Sequence, residues 1–178
     1  CTLNNVDRAA ITVVPTQYSA APLIAGEVDC LLCWETDLPV AMQVQGIESV
    51  TMLMADHGYA VHSQTYIATD DSIATRRAEL VALLRGEARG WEVYRRDTAA
   101  AADRTVALFP DMGLDPAVQR LQAARQVPLM FSDLTDRHGF GWFTEETVAA
   151  NVETLALLGR RVTPAMWDRS ILEEVHAG

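Results

Sequence analysis

A short motif of an aromatic, an acidic and a hydroxyl residue gives this sequence its clearest chemical signal. Trp34, Glu35 and Thr36 stand together at the end of an apolar run, residues 30–34. If that run is a buried strand, the three side chains lie at the carboxyl edge of a sheet, where open α/β sheets bind ligands. A carboxylate accepts hydrogen bonds from amino groups, and an aromatic face stacks on a flat ring. The motif therefore predicts a site for a small ring compound.

Three further residues are candidates for the same site. Thr16 and Gln17 follow another apolar run, residues 11–14, at an equivalent edge, and Tyr59 lies where the chain pattern changes. Each candidate has a structural alternative. Glu35 would stabilise the N-terminus of the following helix through the helix dipole, and Trp34 would be a core residue. Thr16 and Gln17 would be turn residues, and Tyr59 would pack at a hinge.

The sequence offers little support for metal, cofactor or other catalytic chemistry. His57 and His62 lie close together, but a third metal ligand is not evident, so we predict no metal site. Cys30 and Cys33 have C-x-x-C spacing, yet residues three apart in a strand point to opposite faces, which favours small buried side chains. All fourteen basic residues are Arg, so this segment supplies no lysine for a Schiff base. We predict no cofactor and no catalytic residue.

Composition narrows the class of protein. Hydrophobic residues make up 49% of the 178 residues and charged residues 21%, as in a globular domain. The formal net charge is −10, and the basic residues are scattered, so nucleic acid is not a predicted partner. No apolar stretch approaches the roughly 18 residues that a membrane-spanning helix needs.

The elements that would position the motif alternate between strand and helix in the first part of the chain. This alternation predicts an α/β fold with a largely parallel sheet. The predicted strands cover residues 11–14, 30–34 and 49–54. The predicted helices between them cover residues 19–25 and 38–44, each followed by a glycine. Residues 59–69 are predicted to be extended.

From Asp71 onward the character of the sequence changes, and the C-terminal two thirds of the chain is predicted to be mostly helical. Residues 76–96 carry apolar side chains close to the i, i+3, i+4 spacing of an amphipathic helix. A Pro after Asp115 and acidic residues after Thr144 are typical of helix N-termini. Further helices are predicted over residues 99–109, 115–127 and 144–158, and a short last helix from Thr163.

Several ordered motifs resemble the NMT1/THI5-like group of solute-binding proteins. Residues 21–35 are similar to the family's "LLAGEVDA…WEP" stretch, and residues 85–92 to its "A…RGW" helix. Further similar pieces, in family order, are Gln45-Gly46, residues 56–59 and residues 138–142. The similarity extends over essentially the whole chain and corresponds to the C-terminal half of family members.

The resemblance implies a fold, a partition and a site. The fold is periplasmic-binding-protein type II-like, with this sequence as part of a two-lobe structure and a helix-rich C-terminal portion. Residues 1–58 would form a second-lobe α/β segment, and residues 59–178 a hinge crossover and a helical segment that returns to the first lobe. Glu35 would hydrogen-bond an aminopyrimidine, as the resemblance implies for pyrimidine-binding members.

The leading functional hypothesis is binding without chemistry. The resemblance implies the solute-binding component of an ABC importer that captures a thiamine-pyrimidine precursor or a related compound. Its partners would be the small solute, a membrane permease and the missing N-terminal lobe. The location would be periplasmic or extracytoplasmic, with a lipid anchor at the missing N-terminus as one option.

Two alternatives stay open. One is a hydroxymethylpyrimidine phosphate synthase-like enzyme of thiamine biosynthesis, although the CCCFC motif of the eukaryotic enzymes is not found in this sequence. The other is a stand-alone ligand sensor formed by this segment. We favour a protein that is not an enzyme.

Overall fold

The regular structure of this chain is helical. The computed structural model describes residues 1–59 and 61–177, without the side chain of Thr2. Within that part of the chain the α-helices are α1 (Ala21–Ile24), α2 (Leu38–Val44), α3 (Asp70–Thr75), α4 (Arg77–Arg96), α5 (Thr98–Leu108), α6 (Pro116–Met130), α7 (Asp133–His138), α8 (Glu145–Leu157) and α9 (Ser170–His176). Short 3₁₀ turns cover Thr2–Asn4, Arg8–Ala10, Met54–His57, Pro110–Met112 and Pro164–Met166.

The strands predicted over residues 11–14, 30–34 and 49–54 are not formed in the described part of the chain. Apolar side chains in these runs are largely exposed, with Leu32 81% and Val50 99% accessible. A strand exists only where a neighbouring backbone supplies ladder hydrogen bonds, and none of these runs has such a neighbour among the described residues. The α/β expectation was therefore wrong for the structure of these segments, because pairing is not encoded in a single run.

The helix predictions over the same region were confirmed. α2 has the predicted bounds, and Gly46 follows it with a φ of 74°, a conformation that favours glycine. α1 is shorter than predicted, although the Ser19 hydroxyl does accept a hydrogen bond from the Ala21 N–H at 3.1 Å. These elements form because their signals are local.

In the second part of the chain, side-chain caps define where helices begin. Thr69 accepts a hydrogen bond from Ser72 N–H at the start of α3, and Asp115 accepts from two N–H groups at the start of α6. Thr144 and Thr147 form a reciprocal cap at α8. The short helices α3, α7 and α9 were not predicted from the sequence.

The chain divides into two compact units. The first comprises Cys1–Gly58 and Ala102–Gln126, and the second comprises Tyr59–Ala101 and Val127–Gly178. The predicted lobe boundary after residue 58 stays a prediction, although the first division falls at that residue. Ala60, inside the predicted extended run 59–69, lies outside the described residues.

Each unit has its own links between elements. In the first unit, Arg120 of α6 forms an ion pair with Asp103 of α5 at 2.7 Å. In the second unit, α4 packs against α9 through a buried cluster of Val81, Ile171 and Val175. Burial of each such side chain stabilises the folded state by about 1.5–3 kcal/mol, so this cluster contributes substantially to the stability of the second unit.

Candidate ligand-binding site

Tyr18 connects the two predicted parts of the site. Its phenolic oxygen accepts a hydrogen bond from the backbone N–H of Trp34 at 3.4 Å. It also hydrogen-bonds the Asp37 side chain, just before α2. Because Tyr18 directly follows Gln17 in the chain, this contact brings the segment of Thr16 and Gln17 next to the motif at Trp34.

Tyr18 was not among the residues singled out from the sequence. The available signal was its position next to Thr16 and Gln17, after the apolar run 11–14. Nothing in the sequence indicated that residue 18 would contact residue 34, because that contact is tertiary. Tyr18 is 57% exposed, so it presents polar and aromatic surface to solvent.

Tyr18 and Cys33 keep their protons at neutral pH, because the surroundings raise the pKa of both groups. Burial raises the pKa of the Tyr18 phenol, and the neighbouring Asp37 carboxylate raises it further. Burial also raises the pKa of the Cys33 thiol, again with a contribution from Asp37. Tyr18 is therefore a neutral hydrogen-bonding group, and Cys33 is a poor nucleophile because the thiol form dominates.

Trp34 offers an accessible indole. The side chain is 58% exposed, so in this structure it is not a core residue. Its backbone is held by Tyr18, whereas its ring makes no stacking contact with another ring in the described part of the chain. The ring face is thus available for stacking on a flat ligand.

Glu35 and Thr36 form the turn that follows Trp34, and both are partly exposed. The carboxylate of Glu35 has no ion-pair partner among the described residues. Arg125 of α6 donates instead to the backbone carbonyl of Glu35 at 3.5 Å and to the Oε1 atom of Gln43 at 2.5 Å. Arg125 therefore holds the turn against α2 and leaves the carboxylate free.

Thr16 and Gln17 line an open depression of about 390 Å³ in the first unit. Glu27 from the loop after α1 contributes an acidic group to the same depression, and Pro15 and Pro22 contribute apolar surface. Trp34, Glu35 and Thr36 are not in its lining. The candidate surface thus consists of this depression and the adjoining motif, connected through Tyr18.

Tyr59 belongs to the second unit, where it is partly exposed, and its predicted contact with ligand stays a prediction. Nearby, His62 accepts a hydrogen bond at Nδ1 from the Trp167 indole at 3.2 Å, and burial lowers the pKa of this histidine. No group of three or more potential metal ligands occurs among the described residues.

The described helices include none long and apolar enough to cross a bilayer.

The comparison with family models identifies the group to which this chain belongs. The model described as "NMT1/THI5 like" matches residues 1–101, so the chain is a member of the NMT1/THI5-like family. The fold of this family is that of periplasmic binding proteins. The family includes ABC substrate-binding proteins and THI5 synthase-like proteins. The matched range contains Tyr18, Trp34 and Glu35.

No curated protein and no solved structure matches this chain.

Proposed function

We propose that this chain contributes to the solute-binding component of an ABC importer and that its solute is a small aminated heterocycle, such as a thiamine-pyrimidine precursor. The observation that carries the proposal is the free carboxylate of Glu35 next to the exposed indole of Trp34. A carboxylate accepts hydrogen bonds from ring amino groups, while an indole stacks on the ring.

The charges around the site favour an amino-bearing solute over an anion. Residues 14–37 contain Glu27, Asp29, Glu35 and Asp37 and no basic residue. Arg125, the basic residue that reaches this segment, donates to Glu35 O and to Gln43. A sulfonate or nitrate would meet uncompensated negative charge at short range, whereas a protonated or amino-bearing ring would be attracted.

The exposure of the rings supports a site that closes. Tyr18 and Trp34 are each more than half accessible, and a ligand bound to them alone would keep much of its surface in water. In the proposed mechanism the opposite wall comes from the other lobe of a two-lobe binding protein, and ligand stabilises the closed state. The closed form would then deliver the solute to the permease outside the cytoplasm.

Isothermal titration of the complete two-lobe protein that contains this chain with hydroxymethylpyrimidine, taurine and nitrate tests the proposal. We expect saturable binding of the pyrimidine, with no consumption of the bound compound on prolonged incubation. Formation of hydroxymethylpyrimidine phosphate without added pyrimidine would support the synthase-like class of the family instead. Absence of binding by all three compounds would contradict the proposed role.

A further inference from the structure

A second depression lies on the surface of α4 in the second unit. It encloses about 190 Å³ and is lined by Gly86, Glu87, Gly90, Trp91 and Tyr94. The two glycines lie one turn apart, and a Cβ atom at either position would meet nothing within 4 Å. The floor is therefore open to solvent, and its chemical character comes from one carboxylate and two aromatic rings.

The carboxylate in this depression is held in place by neutral donors. The Trp91 indole N–H donates to Oε1 of Glu87 at 2.9 Å. Burial raises the pKa of Tyr66, and a hydrogen bond to Glu87 raises it further, so Tyr66 keeps its proton as a second neutral partner. Both contacts orient Glu87 without compensating its charge.

No cation of the described chain neutralises Glu87. Its neighbours on the helix surface at i±3 and i±4 are Leu84, Gly90, Leu83 and Trp91, none of which is basic. Arg85, two residues before it, donates to backbone carbonyls of Glu174 and Val175. None of the ion pairs among the described residues includes Glu87.

The aromatic walls are fixed by their own packing. Trp91 and Tyr94 pack edge to face with centroids 4.9 Å apart, and Trp91 stacks on Phe140 at 5.7 Å. Elsewhere in this unit the Arg95 guanidinium lies 4.6 Å from the centre of the Phe131 ring, so that ring makes a cation–π contact within the chain. Among the described residues, no Arg lies over Trp91.

We propose that this depression binds a small alkylated ammonium ion, with Glu87 supplying the opposite charge and Trp91 and Tyr94 the aromatic surface. Aromatic faces attract quaternary ammonium groups through the negative potential of the ring, and the attraction strengthens where water is excluded. Such an ion needs no hydrogen-bond acceptor, which suits a carboxylate that already accepts from an indole and a phenol. The proposal is independent of the solute site in the first unit.

The test is a titration of the whole chain with tetramethylammonium chloride, followed through the indole N–H resonances by NMR. The Trp91 resonance is assigned by its loss in Trp91→Phe. We expect a saturable shift of that resonance with tetramethylammonium and none with tert-butanol, a neutral molecule of the same shape, at matched salt. Equal shifts with tert-butanol and tetramethylammonium, or no saturable shift, would overturn the proposal.

Two variants test whether the negative charge of Glu87 is required for binding of the ammonium ion. Glu87→Gln keeps the size and the acceptor oxygen but removes the charge, so we expect binding to weaken at least about fivefold, within the range of cation recognition at partly exposed sites. Glu153→Gln removes an exposed charge from α8 of the same unit and should leave the affinity unchanged. An unchanged affinity in a folded Glu87→Gln protein, checked by circular dichroism, would refute the assignment.

Trp34→Ala should leave the Trp91 response intact, which separates this site from the solute site.

Discussion

Arg125 donates to the backbone carbonyl of Glu35 and leaves that residue's carboxylate without an ion-pair partner among the described residues. A guanidinium within ion-pair distance of the carboxylate would have neutralised the site and favoured an anionic solute. As built, the guanidinium positions the turn, and the carboxylate keeps its charge for a ligand. The solute preference proposed for this chain depends on that arrangement.

We expect Glu35→Gln to weaken hydroxymethylpyrimidine binding about tenfold. The change removes a charged acceptor, and hydrogen bonds to charged groups contribute about 1.5–3 kcal/mol, roughly double those between neutral groups. Isothermal titration measures the affinity. Glu48→Gln is the matched control, because Glu48 is an exposed acid of the same unit outside the motif, and it should bind normally. Equal affinities in the two variants would exclude Glu35 from the site.

We expect Tyr18→Phe to loosen the motif without unfolding the chain. The variant keeps the ring and removes the oxygen that accepts from Trp34 N–H. A net hydrogen bond contributes about 0.5–1.5 kcal/mol, and exposure of this pair puts it at the lower end. Hydrogen exchange of the Trp34 amide should therefore accelerate severalfold, measured by NMR, while Tyr66→Phe leaves that amide unchanged. No acceleration in Tyr18→Phe would show that the contact does not hold the segment.

We expect Gly139→Ala to lower the free energy of unfolding by at least about 2 kcal/mol. Gly139 has a φ of 102°, and a Cβ atom there would overlap the His176 imidazole, which itself contacts the Phe140 carbonyl at 3.0 Å. The strain of the backbone and the clash with the ring add. Chemical denaturation measures the change.

Gly159→Ala is the control for that experiment. Gly159 also has a positive φ, 72°, but a Cβ atom there meets nothing within 4 Å. It should lose only the conformational part, about 1 kcal/mol. If both variants lose the same amount, the proximity of His176 to Gly139 has no energetic consequence.

We expect the second unit to lose stability as the pH falls from about 7 to 5. Burial lowers the pKa of His62 below its unfolded value of about 6.5, so the folded state prefers the neutral ring. The contribution is present above the unfolded pKa and is lost as the pH falls towards the lowered folded pKa. Protonation at Nδ1 would also remove the acceptor for the Trp167 indole.

Denaturation midpoints of the wild-type chain and His62→Gln across that range measure the effect. The variant should show a flatter pH dependence between about 7 and 5, whereas His57→Gln, at an exposed position, should keep the wild-type dependence. The same slope in wild type and His62→Gln would show that another group titrates in this window.

The sequence identified the helices whose signals are local. α2, α4 and α8 form close to where apolar spacing, Pro, Thr caps and following glycines place them, because these interactions link residues no more than four apart. The same reasoning failed for residues 30–34. An apolar run indicates side chains that favour burial, but a strand also needs a partner backbone, and pairing partners lie anywhere in the chain.

For the candidate site, the sequence predicted the residue types but did not predict the contacts between distant residues. Glu35, Trp34 and Thr36 are neighbours along the chain, so their common location follows from the covalent structure and from the family to which the chain belongs. Tyr18 contacts Trp34, which lies 16 positions further along the chain. Arg125 contacts the backbone carbonyl of Glu35, and these two residues are separated by 90 positions. Only tertiary packing decides such contacts, because nothing local to either residue specifies its distant partner.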